Sequence, residues 1–135
     1  MSQNNLFSVE QASDVQRIFL VEDSPVIRDS LIDVLDNAED GRQVVGTAET
    51  ENDAVERIAD SDPDVAIIDI NLREGSGIGV LERLSDLDTA PPVRIVYTNH
   101  YSRRVHEYCE RLGATHVLPK NGDIRELLGV LMSEH

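Results

Sequence analysis

Five times along this chain a short apolar run of strand length gives way to a stretch with helical spacing, and this strict alternation constrains the fold more than any other property of the sequence. The first run, Ile18, Phe19, Leu20 and Val21, stops at two acids, Glu22 and Asp23. Ser24 and Pro25 follow as an N-cap and a first-turn proline, and Ile27, Leu31, Val34 and Leu35 make the helical stripe behind them. A second strand is predicted over residues 43–48. Its helix opens at Thr50, Glu51, Asn52 and Asp53, a relative of the capping box, and is carried by Ala54, Ile58 and Ala59. Residues 64–69, entered through Pro63, read as a buried strand, after which a glycine-rich loop precedes a helix marked by Val80, Leu81 and Leu84. The fourth strand covers residues 93–97. Val105, Tyr108, Cys109 and Leu112 form the next stripe, with Tyr108 expected in the core and Gly113 closing the helix. Residues 115–118 make the fifth strand, and Asp123 starts a last helix whose Ile124, Leu127, Leu128 and Leu131 face inward.

Strands and helices in alternation imply a parallel sheet covered on both faces, because right-handed crossovers leave few other topologies. The expected class is therefore α/β, doubly wound. At 135 residues the chain supports one compact core. We expect a single domain over residues 16–135, preceded by a polar, flexible leader over residues 1–15. Twelve basic against 26 acidic side chains give a net charge of −14, which repels a phosphate backbone and argues against direct nucleic-acid binding. No apolar run reaches the roughly 18 residues that cross a bilayer, and the first residues lack the pattern of a signal peptide. Cys109, the one cysteine, has no partner for an internal disulfide. A soluble protein of a reducing cytoplasm, with no membrane partner, is the expectation.

In open sheets of this class ligands sit beyond the carboxyl ends of the strands. Here those ends carry Glu22 and Asp23 on the first strand, Asp69 on the third, Thr98 on the fourth and Lys120 on the fifth. Three converging carboxylates repel one another unless a cation is present. Magnesium suits such a site, since it accepts few carboxylates and leaves positions for phosphate oxygens. Capping of the helix at Pro25 would explain Glu22 and Asp23 alone, but not Asp69, Thr98 and Lys120. A carboxylate such as Asp69 can act as a nucleophile toward phosphorus, and phosphoryl transfer depends mainly on positioning and charge neutralisation. Lys120 is the only lysine in the chain, against eleven arginines. Its compact ammonium can neutralise a phosphate oxygen as a point charge, and the Thr98 hydroxyl can donate to another.

The acidic pair after Phe19, Leu20 and Val21, the aspartate after Ala66, Ile67 and Ile68, the threonine after Val96 and Tyr97, and the lysine after Leu118 and Pro119 together resemble the receiver domain of two-component response regulators. The resemblance spans about residues 16–134. It implies a flavodoxin-like, five-stranded parallel sheet in the order 2-1-3-4-5. It further implies that Asp69 accepts a phosphoryl group from phosphohistidine on a sensor histidine kinase or histidine phosphotransfer protein. Glu22, Asp23, Asp69 and the backbone carbonyl of Asn71 would hold magnesium, and Thr98 and Lys120 would contact the phosphoryl group. Thr98 would then report the new charge to a downstream protein partner, or to a second copy in a homodimer, through the face made by the fourth helix, fifth strand and fifth helix. Such a domain catalyses only its own phosphorylation and dephosphorylation.

The chain departs from the family at several positions. Glu22 stands where aspartate is frequent, and Val117 where an aromatic side chain usually swings with the threonine. His116, its neighbour, is expected on the opposite side of the strand. Asn121 follows the lysine in place of proline, and Asn99 with His100 replaces the small residue after the threonine, so the phosphoryl lifetime is expected to differ from the family's norm.

Other features carry less. The glycines between Arg73 and Gly79 permit a turn but lack the lysine of a P-loop. Arg103, Arg104 and Arg111 read as a solvated helix face, or as a basic patch for an acidic partner. The four histidines are too scattered for a metal cluster. After Leu131 too few residues remain for an output module, so we expect a stand-alone receiver, with an excised receiver as the alternative. Two other functions compete: a pseudo-receiver scaffold that never takes a phosphoryl group, and a phosphatase of the haloacid dehalogenase type, which the chain order of the acids disfavours.

Overall fold

Among the described residues each of five helices starts on a side chain that can accept a hydrogen bond from its own first turn, and these caps set the places where the sheet hands over to its crossovers. The computed structural model describes residues 15–135. Its elements run β1 (Gln16–Val21), α1 (Pro25–Leu35), β2 (Arg42–Ala48), α2 (Glu51–Ser61), β3 (Val65–Ile68), α3 (Gly77–Leu84), β4 (Val93–Thr98), α4 (Arg103–Arg111), β5 (His116–Pro119) and α5 (Ile124–Ser133). Ser24 accepts from the Ile27 N–H, Thr50 from Asp53, Ser76 from Gly79, Ser102 from Val105 and Asp123 from Arg125. A cap of this kind contributes about 1 kcal/mol.

The five strands form one parallel sheet in the order β2-β1-β3-β4-β5. The expected doubly wound, flavodoxin-like order is the one observed. β3, all four residues buried, is the central strand, which explains its unbroken apolar run. Alternate residues of the strands feed two separate cores. Phe19, Val21, Ala66, Ile68, Val96 and Val117 pack under α2, α3 and α4. Ile18, Leu20, Val65, Ile67, Ile95 and Tyr97 pack under α1 and α5. Helices thus cover both faces.

Two expectations need correction. Tyr108 is 44% exposed rather than buried; Cys109, one residue on, takes the inward direction of α4, and the Tyr108 ring lies under Arg111 instead. Gly77 and Gly79, read as part of a loop, lie in the first turn of α3. The leader expected over residues 1–15 falls, apart from Val15, outside the described residues. Among those residues no helix is long and apolar enough to cross a membrane.

Candidate functional site

The carboxyl ends of β1, β3 and β5 are adjacent or nearly so in the sheet, so residues far apart in sequence come together there. Glu22 and Asp23 follow β1, with the Glu22 N–H held by the Ala48 carbonyl of β2 at 3.0 Å. Asp69 follows β3, its N–H donating to the Val21 carbonyl at 3.0 Å. One carboxylate oxygen each from Glu22, Asp23 and Asp69 lies within 4.8 Å of the others. The expected acidic cluster is therefore assembled.

Lys120 closes it from the β5 side. Its ammonium donates to Asp69 Oδ2 at 3.0 Å and to Glu22 Oε1 across 98 residues of sequence, with only 8% of its side chain exposed. The remaining oxygens are also engaged: Glu22 Oε2 accepts from the Ser24 N–H at 3.2 Å, and Asp69 Oδ1 from the Asn71 N–H at 3.3 Å. Asn71 thus folds back onto Asp69 as the chain leaves the strand.

Charge in this crevice is only partly balanced. Burial pushes the Glu22 carboxyl above its ordinary range and the neighbouring Asp69 charge adds to that, with Lys120 pulling the other way. Burial would lower the Lys120 ammonium, but its hydrogen bonds to Glu22 and Asp69 outweigh this and hold it above its ordinary value. Three carboxylates against one ammonium leave an excess of negative charge in a half-enclosed, all-oxygen setting. That donor set fits a hard divalent ion such as magnesium.

Thr98 ends β4 fully buried. Its hydroxyl accepts from the His100 N–H at 3.0 Å, and its carbonyl accepts from the Lys120 N–H at 2.8 Å. The threonine is therefore tied both to the loop entering α4 and to the residue that carries the ammonium. Val117 faces the α4 side of the sheet, while His116 lies on the other side with its Nε2 3.4 Å from a carboxylate oxygen of Glu134, as strand periodicity predicts. A cavity of about 210 Å³ lined by Ile27, Ser30, Leu31, Tyr97, Asn99 and Lys120 flanks the crevice.

Sequence reasoning missed one contributor. Glu51, read only as part of a helix start, reaches across to the chain leaving Asp69 and accepts from the Ser76 N–H at 3.1 Å. The close glycines Gly75 and Gly79 beside it were the available signal.

The response regulator receiver domain profile matches residues 18–132. The chain is 40% identical over 80 residues to protein-glutamate methylesterase/protein-glutamine glutaminase 5 of Myxococcus xanthus (strain DK1622), covering 59% of this chain and 23% of the relative. It is 35% identical over 86 residues to the DNA-binding transcriptional activator DevR/DosR of Mycobacterium tuberculosis (strain ATCC 25618 / H37Rv), covering 64% and 38%. The chain thus spans well under half the length of these curated relatives. In fold it is like the crystal structure of a two-component response regulator of the LuxR family from Aurantimonas sp. SI85-9A1, with a TM-score of 0.81 at 24% identity over 88% of this chain and 84% of that one.

Proposed function

Because the chain belongs to the response regulator receiver domain family, we propose that Asp69 accepts a phosphoryl group from phosphohistidine on a sensor histidine kinase or histidine phosphotransfer protein. The observation that carries this reading is the Lys120 ammonium bridging Asp69 and Glu22 at the shared mouth of three strands. An oxygen of Asp69 forms the new bond to phosphorus as the phosphorus–nitrogen bond of phosphohistidine breaks, and the bonding pair stays on the imidazole nitrogen. Lys120 leaves a carboxylate to follow the transferred charge. The Thr98 hydroxyl gives up the His100 N–H and donates to a phosphoryl oxygen. Glu22, Asp23, Asp69 and the Asn71 carbonyl would hold magnesium, which when bound supplies positive charge to the phosphoryl oxygens. Hydrolysis by water returns inorganic phosphate and the free carboxylate, so the chain turns over no separate substrate.

The Thr98 carbonyl and the Lys120 N–H join β4 to β5, which supports a change at Thr98 being felt on the face formed by α4, β5 and α5. On this reading that face binds a downstream protein or a second copy, and the domain works in the cytoplasm. The test is intact-mass spectrometry after incubation with acetyl phosphate and magnesium, and separately with a phosphorylated histidine kinase. One added phosphoryl group, lost in Asp69→Asn, is expected. No adduct from either donor would leave the pseudo-receiver scaffold as the better account.

A further inference from the structure

Three glycines crowd the chain that leaves Asp69, and two of them are explained by Glu51. A Cβ on Gly77 would lie 2.2 Å from the Asp69 carbonyl oxygen, so this residue must be glycine for the first turn of α3 to press on the strand end. A Cβ on Gly79 would lie 2.2 Å from Glu51 Oε1, and one on Gly75 2.4 Å from the Glu51 Cβ. The Glu51 side chain therefore occupies the space that side chains at both positions would fill.

It is also the hub of the hydrogen bonds that pin this segment. Glu51 Oε1 accepts from the Ser76 N–H at 3.1 Å, and Oε2 lies 3.3 Å from the Arg83 guanidinium of α3. The Glu51 N–H donates to the Glu74 carbonyl at 3.0 Å, beside a parallel bridge between Thr50 and Glu74. Ser76 in turn pairs with Asn71 in an antiparallel bridge, and the Asn71 N–H donates to Asp69 Oδ1. A continuous chain of contacts runs from Glu51 through Ser76 and Asn71 to Asp69.

We propose that Glu51 is a positioning residue that holds Asn71 against Asp69, and so presets the Asn71 carbonyl for the divalent ion; the second clause rests on the ligand set proposed above. Groups behind metal ligands commonly change affinity by an order of magnitude without touching the ion.

The test compares the full chain with Glu51→Ala, Glu51→Gln, Gly79→Ala and the Glu51→Ala/Gly79→Ala double variant. Amide hydrogen exchange is read at Ser76 and Asn71, and magnesium affinity by calorimetry with magnesium chloride. In Glu51→Ala exchange at both amides speeds about fivefold, the equivalent of one hydrogen bond, and magnesium binds about tenfold more weakly. Glu51→Gln keeps an acceptor oxygen for Ser76 and stays within about twofold of the parent. Gly79→Ala, whose added methyl displaces the carboxylate, reproduces Glu51→Ala in a chain that retains the acid, and adds nothing in the double variant. Unchanged exchange at Asn71 and Ser76 in Glu51→Ala and Gly79→Ala would overturn the proposal. Should the parent chain not bind magnesium, the proposed ligand set fails, and the exchange rates still decide whether Glu51 positions Asn71.

Discussion

Replacing Lys120 by methionine removes the one cation that the described residues place among Glu22, Asp23 and Asp69, while keeping most of the side-chain volume. The ammonium lies 3.0 Å from Asp69 Oδ2, a Coulomb attraction of about 5.5 kcal/mol at an effective dielectric constant near 20. With Lys120 only 8% and Asp69 10% exposed at the side chain, solvent screens little of it. The full attraction is not lost, because an abandoned carboxyl takes up a proton instead. Counted from the ordinary glutamate value of 4.5 to about pH 7, protonating Glu22 costs at most roughly 3.4 kcal/mol at 1.36 kcal/mol per pH unit, because the parent's Glu22 already stands above that value. The variant is therefore expected to lose up to about 3 kcal/mol near pH 7, but under about 1 kcal/mol near pH 5. The sign follows from a folded-state pKa raised above the unfolded one: stability is full below the unfolded value and drains away as pH rises through the raised value. Urea unfolding followed by circular dichroism in chelator-treated buffer measures it. A midpoint shift of up to about 1.5 M near neutrality is expected, shrinking severalfold near pH 5. Equal losses at the two pH values, or a loss below about 1 kcal/mol near pH 7, would refute the reasoning.

Asp69→Asn relieves two repulsions of about 3.5 kcal/mol each, from carboxylate oxygens within 4.8 Å, against the one attraction of about 5.5 kcal/mol lost, so it should stabilise the metal-free domain by about 1.5 kcal/mol in thermal or urea unfolding. Magnesium should raise the melting temperature of the parent chain. Because burial, helped by Asp69, holds the Glu22 carboxyl above its ordinary value, protonation should erode that gain at a higher pH than an ordinary glutamate would, as a series of melts with and without magnesium will show. The buried Cys109 thiol, pushed up by burial, should react with a disulfide reagent only as fast as the domain opens, and at full rate in denaturant.

The layered sheet was legible because β3 is apolar throughout and because Ser24, Thr50 and Asp123 mark helix starts; the caps at Ser76 and Ser102 emerged only from the structure. The crevice was legible for a related reason: acids and a lone lysine interrupt apolar runs at strand ends, where nothing in strand formation asks for charge. Tyr108 was misread because two neighbouring residues on α4 both fit the inward spacing, and only the packing under α4 decides that the smaller Cys109 takes the place. Glu51 escaped notice because its capping pattern is local, whereas its partner Ser76 lies 25 residues further on. Only the β2-β1-β3 strand order brings the start of α2 beside the chain leaving Asp69.

One lysine, almost wholly enclosed, makes the domain its own reporter. A protease that cuts only after lysine has a single bond to attack, between Lys120 and the exposed Asn121. Whatever seizes or frees the ammonium must alter how readily that bond fits the protease, which needs the lysine side chain extended into its own pocket. Cleavage into two fragments of known mass then tracks occupancy of the crevice without any label.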